Sequence, residues 1–323
     1  MKLVVGFLTY NESTAKYLAD FLTSLKLALG FLNPNEYKVL AFDNSDPDNG
    51  INRMALELFN QENEGFLEYL STDGNLGFSR AYNILINQAE RLGTEYFLVI
   101  NPDTLLEKET IFELISALDK NLDLSSASPK IRRWDFDTNT KTRVIDSCGL
   151  VLKSGLRFCD LGQGEEDDKR FDRATILGPS GAAGLFRLSA LLKIKENNQY
   201  FDERFFMYKE DCDLAYRLFL IKAGSVLVPS AIIYHDRTAA ASQGGITGKI
   251  FNRHKKSRQI RTWSFHNQHL IFVKHWTKQN LISKIIIVFR IFTFGFFSLI
   301  LEQFLLKEYR RVISASRVLT NIK

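Results

Sequence analysis

Tyr96-Phe97-Leu98-Val99-Ile100-Asn101-Pro102-Asp103 is an unbroken apolar run stopped by a polar turn. Such a run fits a strand buried on both faces, as in parallel sheets covered by helices. The residues before it repeat the pattern. Residues 3–8 read as a strand, and 13–29 as a helix with Ser13 as N-cap. Residues 37–42 read as a second strand, Ile51–Glu62 as a helix and 66–70 as a third strand. The turn Asn75-Leu76-Gly77-Phe78 then opens a helix over 79–92. Strands alternating with helices predict an α/β fold with a mostly parallel central sheet and helices on both faces. Polar residues gather where the strands end: Thr9, Tyr10 and Asn11; Asp43 and Asn44; Asn101 and Asp103. Open α/β sheets bind ligands at that carboxyl edge.

Beyond residue 121 the pattern is less regular. Residues 130–173 are rich in charge and glycine and predict short strands at best. Gly178-Pro179-Ser180-Gly181-Ala182-Ala183-Gly184 allows close approach of backbone to a ligand. Next comes Phe201-Asp202-Glu203-Arg204-Phe205-Phe206-Met207-Tyr208-Lys209-Glu210-Asp211-Cys212-Asp213-Leu214, aromatics followed by acids. Leu214, Ala215 and Leu218 then recur at helical spacing, so the acids open a helix with one buried face. A carboxylate at that place suits a general base. Residues 224–229 and 232–234 read as two short strands leading to His235.

The 323 residues allow one large domain or two smaller ones, and 45% hydrophobic with 24% charged residues marks a globular chain. Cys148, Cys159 and Cys212 show no metal spacing and no even framework, which points to a reducing compartment. Residues 1–10 lead directly into polar sequence, which reads as a buried first strand and not as a signal peptide. The net charge of +5 is unevenly spread. Residues 249–323 hold 15 Lys and Arg against two acids, whereas the first 248 hold 27 against 35. An acidic body with a basic tail predicts an anionic surface as the tail's partner, and nothing calls for nucleic acid. Residues 281–306 are very apolar but interrupted by Lys284, Arg290 and Glu302. The longest uncharged run there, 291–301, is too short to span a bilayer, so an amphipathic helix at a membrane surface is expected. The alternative is packing on the body alone.

Asp103, after a buried strand, suits Mg²⁺ or Mn²⁺, with His235 as a second ligand. Each has a plain alternative, a turn residue for Asp103 and a hydrogen-bonding histidine for His235. Asp43 could accept from a nucleobase or ribose, or form an Asx turn; Arg80 could meet a diphosphate, or be a solvated charge. No P-loop, no Gly-x-Gly-x-x-Gly after the first strand and no Gly-x-Ser-x-Gly elbow is present.

In this order and spacing the motifs resemble family 2 glycosyltransferases with a GT-A fold, especially the rhamnosyltransferase-like branch, over roughly residues 3–275. They are Thr9-Tyr10-Asn11; Phe42-Asp43-Asn44-Ser45; Gly74-Asn75-Leu76-Gly77-Phe78-Ser79-Arg80-Ala81-Tyr82-Asn83; Leu98-Val99-Ile100-Asn101-Pro102-Asp103; Gly181-Ala182-Ala183-Gly184-Leu185-Phe186-Arg187; residues 201–214; and His235. The resemblance implies inverting transfer of a sugar from a nucleotide-diphosphate donor, dTDP-rhamnose or a UDP-sugar, to a saccharide or lipid-diphosphate-linked acceptor in cell-surface polysaccharide synthesis. It implies a donor site of Thr9, Tyr10, Asn11, Asp43, Asn44, Asn75, Gly77, Arg80, Asn101 and Asp103. Asp211 would be the base and Glu210 its support, with acceptor contacts at Gly181, Ala182, Phe205, Phe206 and Tyr208. Asp103 and His235 would hold a divalent cation, Mg²⁺ or Mn²⁺; Asn101-Pro102-Asp103 replaces the family's Asp-x-Asp, leaving a single acid there. Residues 1–120 and 121–248 would be the nucleotide-sugar and acceptor halves of one domain, and 249–323 a basic helical tail. The expected place is cytoplasmic, peripheral at the inner face of the cell membrane.

Two other classes compete. A sugar-phosphate nucleotidyltransferase needs a glycine- and Arg/Lys-rich loop after the first strand, where this chain has Thr9-Tyr10-Asn11-Glu12. A non-catalytic, membrane-associated nucleotide-sugar-binding protein would have no use for Asp211. Within the same fold, a UDP-hexose transferase shares most of the motifs.

Overall fold

A computed structural model describes residues 1–237 and 257–320, with side chains described up to 314. The expected boundary between 248 and 249 lies outside the described residues. The chain forms two compact units. The first holds Met1–Val151, Asp160–Phe206 and the described residues from Glu210; the second holds Leu152–Cys159, Met207–Lys209 and the described residues from Ser257.

In chain order the first unit begins β1 (Leu3–Thr9), α1 (Asn11–Ala15), α2 (Leu18–Leu29), β2 (Tyr37–Asp43), α3 (Ile51–Glu62), β3 (Leu67–Ser71), α4 (Gly77–Arg91) and β4 (Tyr96–Ile100). The chain continues β5 (Thr104–Leu106), α5 (Thr110–Asp119), β6 (Leu124–Asp135), β7 (Thr140–Ser147), the hairpin β8 (Leu150–Lys153) and β9 (Arg157–Asp160), whose residues 152–159 belong to the second unit, β10 (Ala183–Arg187), α6 (Leu188–Lys193), α7 (Glu210–Leu220) and β11 (Gly224–Asp236).

One sheet runs β3-β2-β1-β4-β10-β6-β11-β5, with β7 also paired to β6. Its first four strands are parallel, as the apolar runs predict. β10 then lies antiparallel between β4 and β6, and β11 is parallel to β6, so the sheet is mixed beyond β4. Both segments expected as halves of one domain supply strands to it. Strand alternation divides the core. Leu3, Val5, Phe7, Tyr96, Leu98 and Ile100 face Phe21, Leu25, Leu56 and Leu114 from α2, α3 and α5. Val4, Leu40, Phe42, Phe97 and Val99 face Tyr82, Leu85, Leu191 and Leu214 from α4, α6 and α7.

Three local expectations change. The helix over 13–29 is two helices broken at 16–17, and Ser13 is not its cap: its hydroxyl donates to the Tyr10 carbonyl at 2.6 Å, while Thr14 Oγ1 accepts from Tyr10 N at 2.8 Å. The charged region after Lys130 contains a long hairpin, β6 and β7, instead of short strands. β11 is one strand of 13 residues, irregular between Val228 and Ile232 where two strands were expected.

The second unit packs α8 (Arg258–Lys274), α9 (Leu281–Leu301) and α10 (Leu306–Thr320). Phe265 and His269 on α8 meet the Tyr309 ring, whose hydroxyl donates to the Ile291 carbonyl at 3.1 Å. Arg261 pairs with the buried Glu302 at 2.6 Å. One face of α9 is engaged. Ser283 Oγ accepts from Gly155 N at 3.2 Å, Arg290 Nη1 donates to the Gly155 carbonyl at 2.6 Å, and Ile287 and Ser298 are buried. Gly155 has φ +72°, and a Cβ there would stand 2.4 Å from Ile286 Cγ2, so only glycine lets α9 approach. The opposite face exposes Ile282, Ile285, Phe289, Phe292, Phe296 and Leu299. The expectation that this segment is too short to span a bilayer is revised: the 21-residue helix is long and apolar enough by length and composition.

Candidate active site

β1 and β2 end in register, Thr9 opposite Asp43, which places the first polar cluster. Asp43 is almost fully buried. Its Oδ1 accepts from Thr9 Oγ1 at 2.8 Å and from Ser45 N at 3.0 Å, and its Oδ2 accepts from Tyr69 OH at 3.1 Å. Asn11, at φ 42°, crosses to the same loop, its amide group meeting Asp46 N at 3.0 Å and Asp46 Oδ2 at 2.9 Å. Tyr10 is exposed beside it.

Asn44 and Asn75, expected to contact a donor, use their amides on the glycine turn. Asn44 Oδ1 accepts from Leu76 N at 3.0 Å, and Asn75 Oδ1 accepts from Gly77 N at 2.8 Å. Gly77 has φ +76°, and a Cβ would lie 2.5 Å from the Phe206 carbonyl oxygen; that oxygen accepts from Phe78 N at 2.8 Å. The turn is thereby fixed against the aromatic segment. Arg80, in the first turn of α4, is exposed.

The second cluster forms around the end of β4. Asn101 N donates to the Ala182 carbonyl at 2.9 Å, and the next residue back, Gly181, donates its N–H to Asp211 Oδ2 at 2.9 Å. Asp211 Oδ1 accepts from Cys212 N at 2.7 Å. Both oxygens of the expected base are thus oriented by backbone, at the first turn of α7, beside the Asn-Pro-Asp loop. Glu210 is buried next to it. Phe206 is half-buried. Phe205 corrects an expectation: it is fully buried, so it supports the segment from behind and forms no acceptor wall. Tyr208 belongs to the second unit, where its carbonyl accepts from Asn267 Nδ2 at 2.7 Å.

β5 pairs Thr104 with His235, which brings Asp103 to the end of β11. His235 Nε2 lies 3.3 Å from Asp103 Oδ2, and its Nδ1 lies 2.8 Å from Asp146 Oδ2. The other oxygen of Asp146 accepts from Arg237 Nη1 at 3.0 Å, and Arg237 lies 3.7 Å from Asp160 Oδ2. Burial disfavours a charged His235, but Asp103 and Asp146 outweigh it and the pKa is pushed up to about 10. Burial likewise opposes ionisation of Asp146, yet His235 and Arg237 hold its carboxyl below the usual range. Asp160 is raised by burial, Arg237 working against the shift and Asp211 adding to it. Asp146, Asp160 and Arg237 were not anticipated from sequence. One signal was available for Arg237: it stands two residues beyond His235, on the same side of an extended strand.

The cluster suits a divalent cation. Asp103 Oδ1 is buried without a hydrogen-bond partner, and His235 Nε2 faces the same carboxylate. Neighbouring ligands on an octahedral ion with bonds of about 2.1 Å stand about 3 Å apart, close to that separation. Among the described residues no third His, Cys, Asp or Glu completes a set, which leaves places for phosphate and water oxygens.

The family description "Glycosyl transferase family 2" matches residues 5–194. This chain belongs to that family. It is a glycosyltransferase with a GT-A fold. A curated relative, the N-acetylglucosaminyl-diphospho-decaprenol L-rhamnosyltransferase of Mycobacterium tuberculosis, is 29% identical over 277 residues, covering 80% of this chain and 83% of the relative. Residues 1–349 of S. aureus TarS, solved with UDP-GlcNAc, superpose with TM-score 0.57 and 17% identity over 98% of this chain and 80% of that one. Against the longer TarS chain, this one spans 41% of its length. GalNAc-T7, solved with UDP, GalNAc and Mn²⁺, superposes with TM-score 0.54 and 10% identity over 73% of this chain and 44% of that one. At these identities the solved structures establish the fold.

Proposed function

We propose that this family 2 transferase moves rhamnose, with inversion, from a nucleotide-diphosphate donor to a sugar hydroxyl on a lipid-diphosphate-linked acceptor. The observation that carries the chemistry is Asp211, held by two backbone N–H groups at the edge where Asp103 and His235 meet. The activity for which the mycobacterial relative is named supports the choice of sugar and acceptor. Asp211 takes the acceptor hydroxyl proton as that oxygen bonds to the anomeric carbon; the bond to the diphosphate oxygen breaks, and the nucleoside diphosphate leaves with the electron pair. Thr9, Tyr10, Asn11 and Asp43 hold the nucleoside, with Arg80 and Asn101 toward the diphosphate. Gly181, Ala182 and Phe206 face the acceptor, and Glu210 supports Asp211. Asp103 and His235 would hold Mg²⁺ or Mn²⁺, which when bound neutralises charge on the leaving diphosphate. The donor class is tested by thermal shift with dTDP, UDP and their sugars, with and without Mn²⁺. Stabilisation by dTDP forms above UDP forms is expected, by about 3 kcal/mol at a hundredfold excess over the dissociation constant. A response to UDP forms alone would assign a UDP-hexose transferase instead.

The proposal places the enzyme at the inner face of the cell membrane. The apolar stripe of α9 recurs every three or four residues, and Lys278, Lys307, Arg310 and Arg311 are exposed in the same unit. Apolar area beside cationic groups fits the surface of an anionic bilayer. Arg290 and Glu302 are engaged by protein on the other side, which favours a helix lying in the interface over one crossing it. Phe292→Glu with Phe296→Glu is expected to weaken cosedimentation with phosphatidylglycerol vesicles by about 10²–10⁴-fold, each buried Phe contributing about 1.5–3 kcal/mol. Equal sedimentation of both proteins would remove α9 as the contact.

A further inference from the structure

We propose that Asp146 is a positioning residue that aims two groups at the donor diphosphate at once: the Nε2 of His235 and the guanidinium of Arg237. This rests on the transferase reading above and adds to it Arg237 as a diphosphate-binding residue. Asp146 sits near the end of β7, and His235 and Arg237 sit at and just after the end of β11; both strands pair with β6. The Asp146 side chain is 1% exposed and divides its oxygens between the two partners, Oδ2 to His235 Nδ1 at 2.8 Å and Oδ1 to Arg237 Nη1 at 3.0 Å. When a cation displaces the Nε2 proton, a carboxylate on Nδ1 keeps the proton there, and Nε2, turned toward Asp103, becomes the ligating atom. The same carboxylate anchors one Nη of Arg237 and leaves the rest of the fork, on a side chain 36% exposed, for an anion. A planar fork suits phosphate oxygens better than a point charge does. Asp160 Oδ2 lies 3.7 Å from the same Nη1, so both carboxylates sit at one end of the fork.

The arrangement makes Asp146→Asn informative. An amide has one oxygen and one NH₂. Its NH₂ cannot face Arg237, because both are donors, so the oxygen stays on Arg237 and the NH₂ turns to His235. The imidazole must then accept at Nδ1 and carry its proton on Nε2, where it no longer ligates. Asp146→Asn should thus uncouple the two functions, while Arg237→Gln should remove only the second.

The test is calorimetric titration of the full chain, the two variants and wild type, with UDP and with dTDP, each with and without Mn²⁺. For Asp146→Asn the gain in nucleotide affinity given by Mn²⁺ should fall by about 10–100-fold, with metal-free affinity changed by less than about threefold. Arg237→Gln should lose metal-free affinity and keep the Mn²⁺ gain. An unchanged Mn²⁺ gain in folded Asp146→Asn overturns the inference and leaves the transferase reading standing. Wild type that binds neither nucleotide overturns that reading and the inference with it. A readout in the unaltered protein covers a variant that does not fold. With Mg²⁺ and the tighter nucleotide bound, long-range ¹H–¹⁵N spectra should show His235, assigned through His235→Gln, protonated at Nδ1. A proton on Nε2 instead would overturn the proposal.

Discussion

Asp211→Asn is expected to lower turnover by about 10²–10⁴-fold, the usual contribution of a positioned general base. Nucleotide binding and thermal stability should stay near wild type. The side chain is held at both oxygens, by Gly181 N at 2.9 Å and Cys212 N at 2.7 Å. An amide keeps one of these bonds and turns an NH₂ toward the other donor, a small structural cost on an element anchored elsewhere. What it cannot do is take a proton. Single-turnover transfer by the purified variant, measured beside nucleotide affinity by calorimetry, separates the two effects. Turnover within a few-fold of wild type would sink the assignment of Asp211 as base. Glu210→Gln serves as comparison: as a supporting group it should cost less.

The second large effect concerns stability. Arg217→Ala is expected to destabilise the first unit by about 3–5 kcal/mol, the cost of breaking a buried ion pair on one side. Arg217 Nε donates to Asp213 Oδ2 at 2.8 Å, and their side chains are 7% and 1% exposed. Arg217 Nη1 also donates to the Ile194 carbonyl at 2.8 Å, and Nη2 donates to the Tyr200 carbonyl. One side chain therefore ties α7, which carries Asp211 at its start, to the segment after α6. Alanine leaves Asp213 charged in the core and two carbonyls without that donor. A fall in melting temperature on the order of 10 °C follows for a domain of this size. Asp213→Asn combined with Arg217→Met should recover part of it, because the lone charge is gone. A melting temperature for Arg217→Ala within 2 °C or so of wild type would show that water reaches the pair.

Much of the fold can be read locally. The apolar run Tyr96–Ile100 and its polar stop place β4 and the Asn-Pro-Asp loop as expected, and the parallel order of β1 to β4 follows from alternating strands and helices. The aromatic-to-acid change at Tyr208 to Glu210 marks the start of α7, because capping and periodicity act within four or five residues. Local reading fails where a residue's neighbour is distant in the chain. Phe205 looks like its half-buried neighbour Phe206 in sequence and is core, since its exposure depends on what packs over it. Ser13 has the type of an N-cap, but its hydroxyl donates to the Tyr10 carbonyl instead of accepting from the helix.

By itself the sequence determined the strand and helix alternation, the polar ends of the strands, and the candidates Asp43, Asp103, Asp211 and His235, because periodicity and turn chemistry are set by adjacent residues. Only the tertiary structure decided which side of the apolar helix α9 stays uncovered: glycine at 155 and the pull of its carbonyl on Arg290 select the face. Only the tertiary structure, too, joined Asp103, Asp146, Asp160, His235 and Arg237. His235 meets Asp146 across 89 residues of chain and Asp103 across 132. Which strand lies beside which is a global choice, made by burial of the whole sheet, and a charge pair that depends on it leaves no local mark in the sequence.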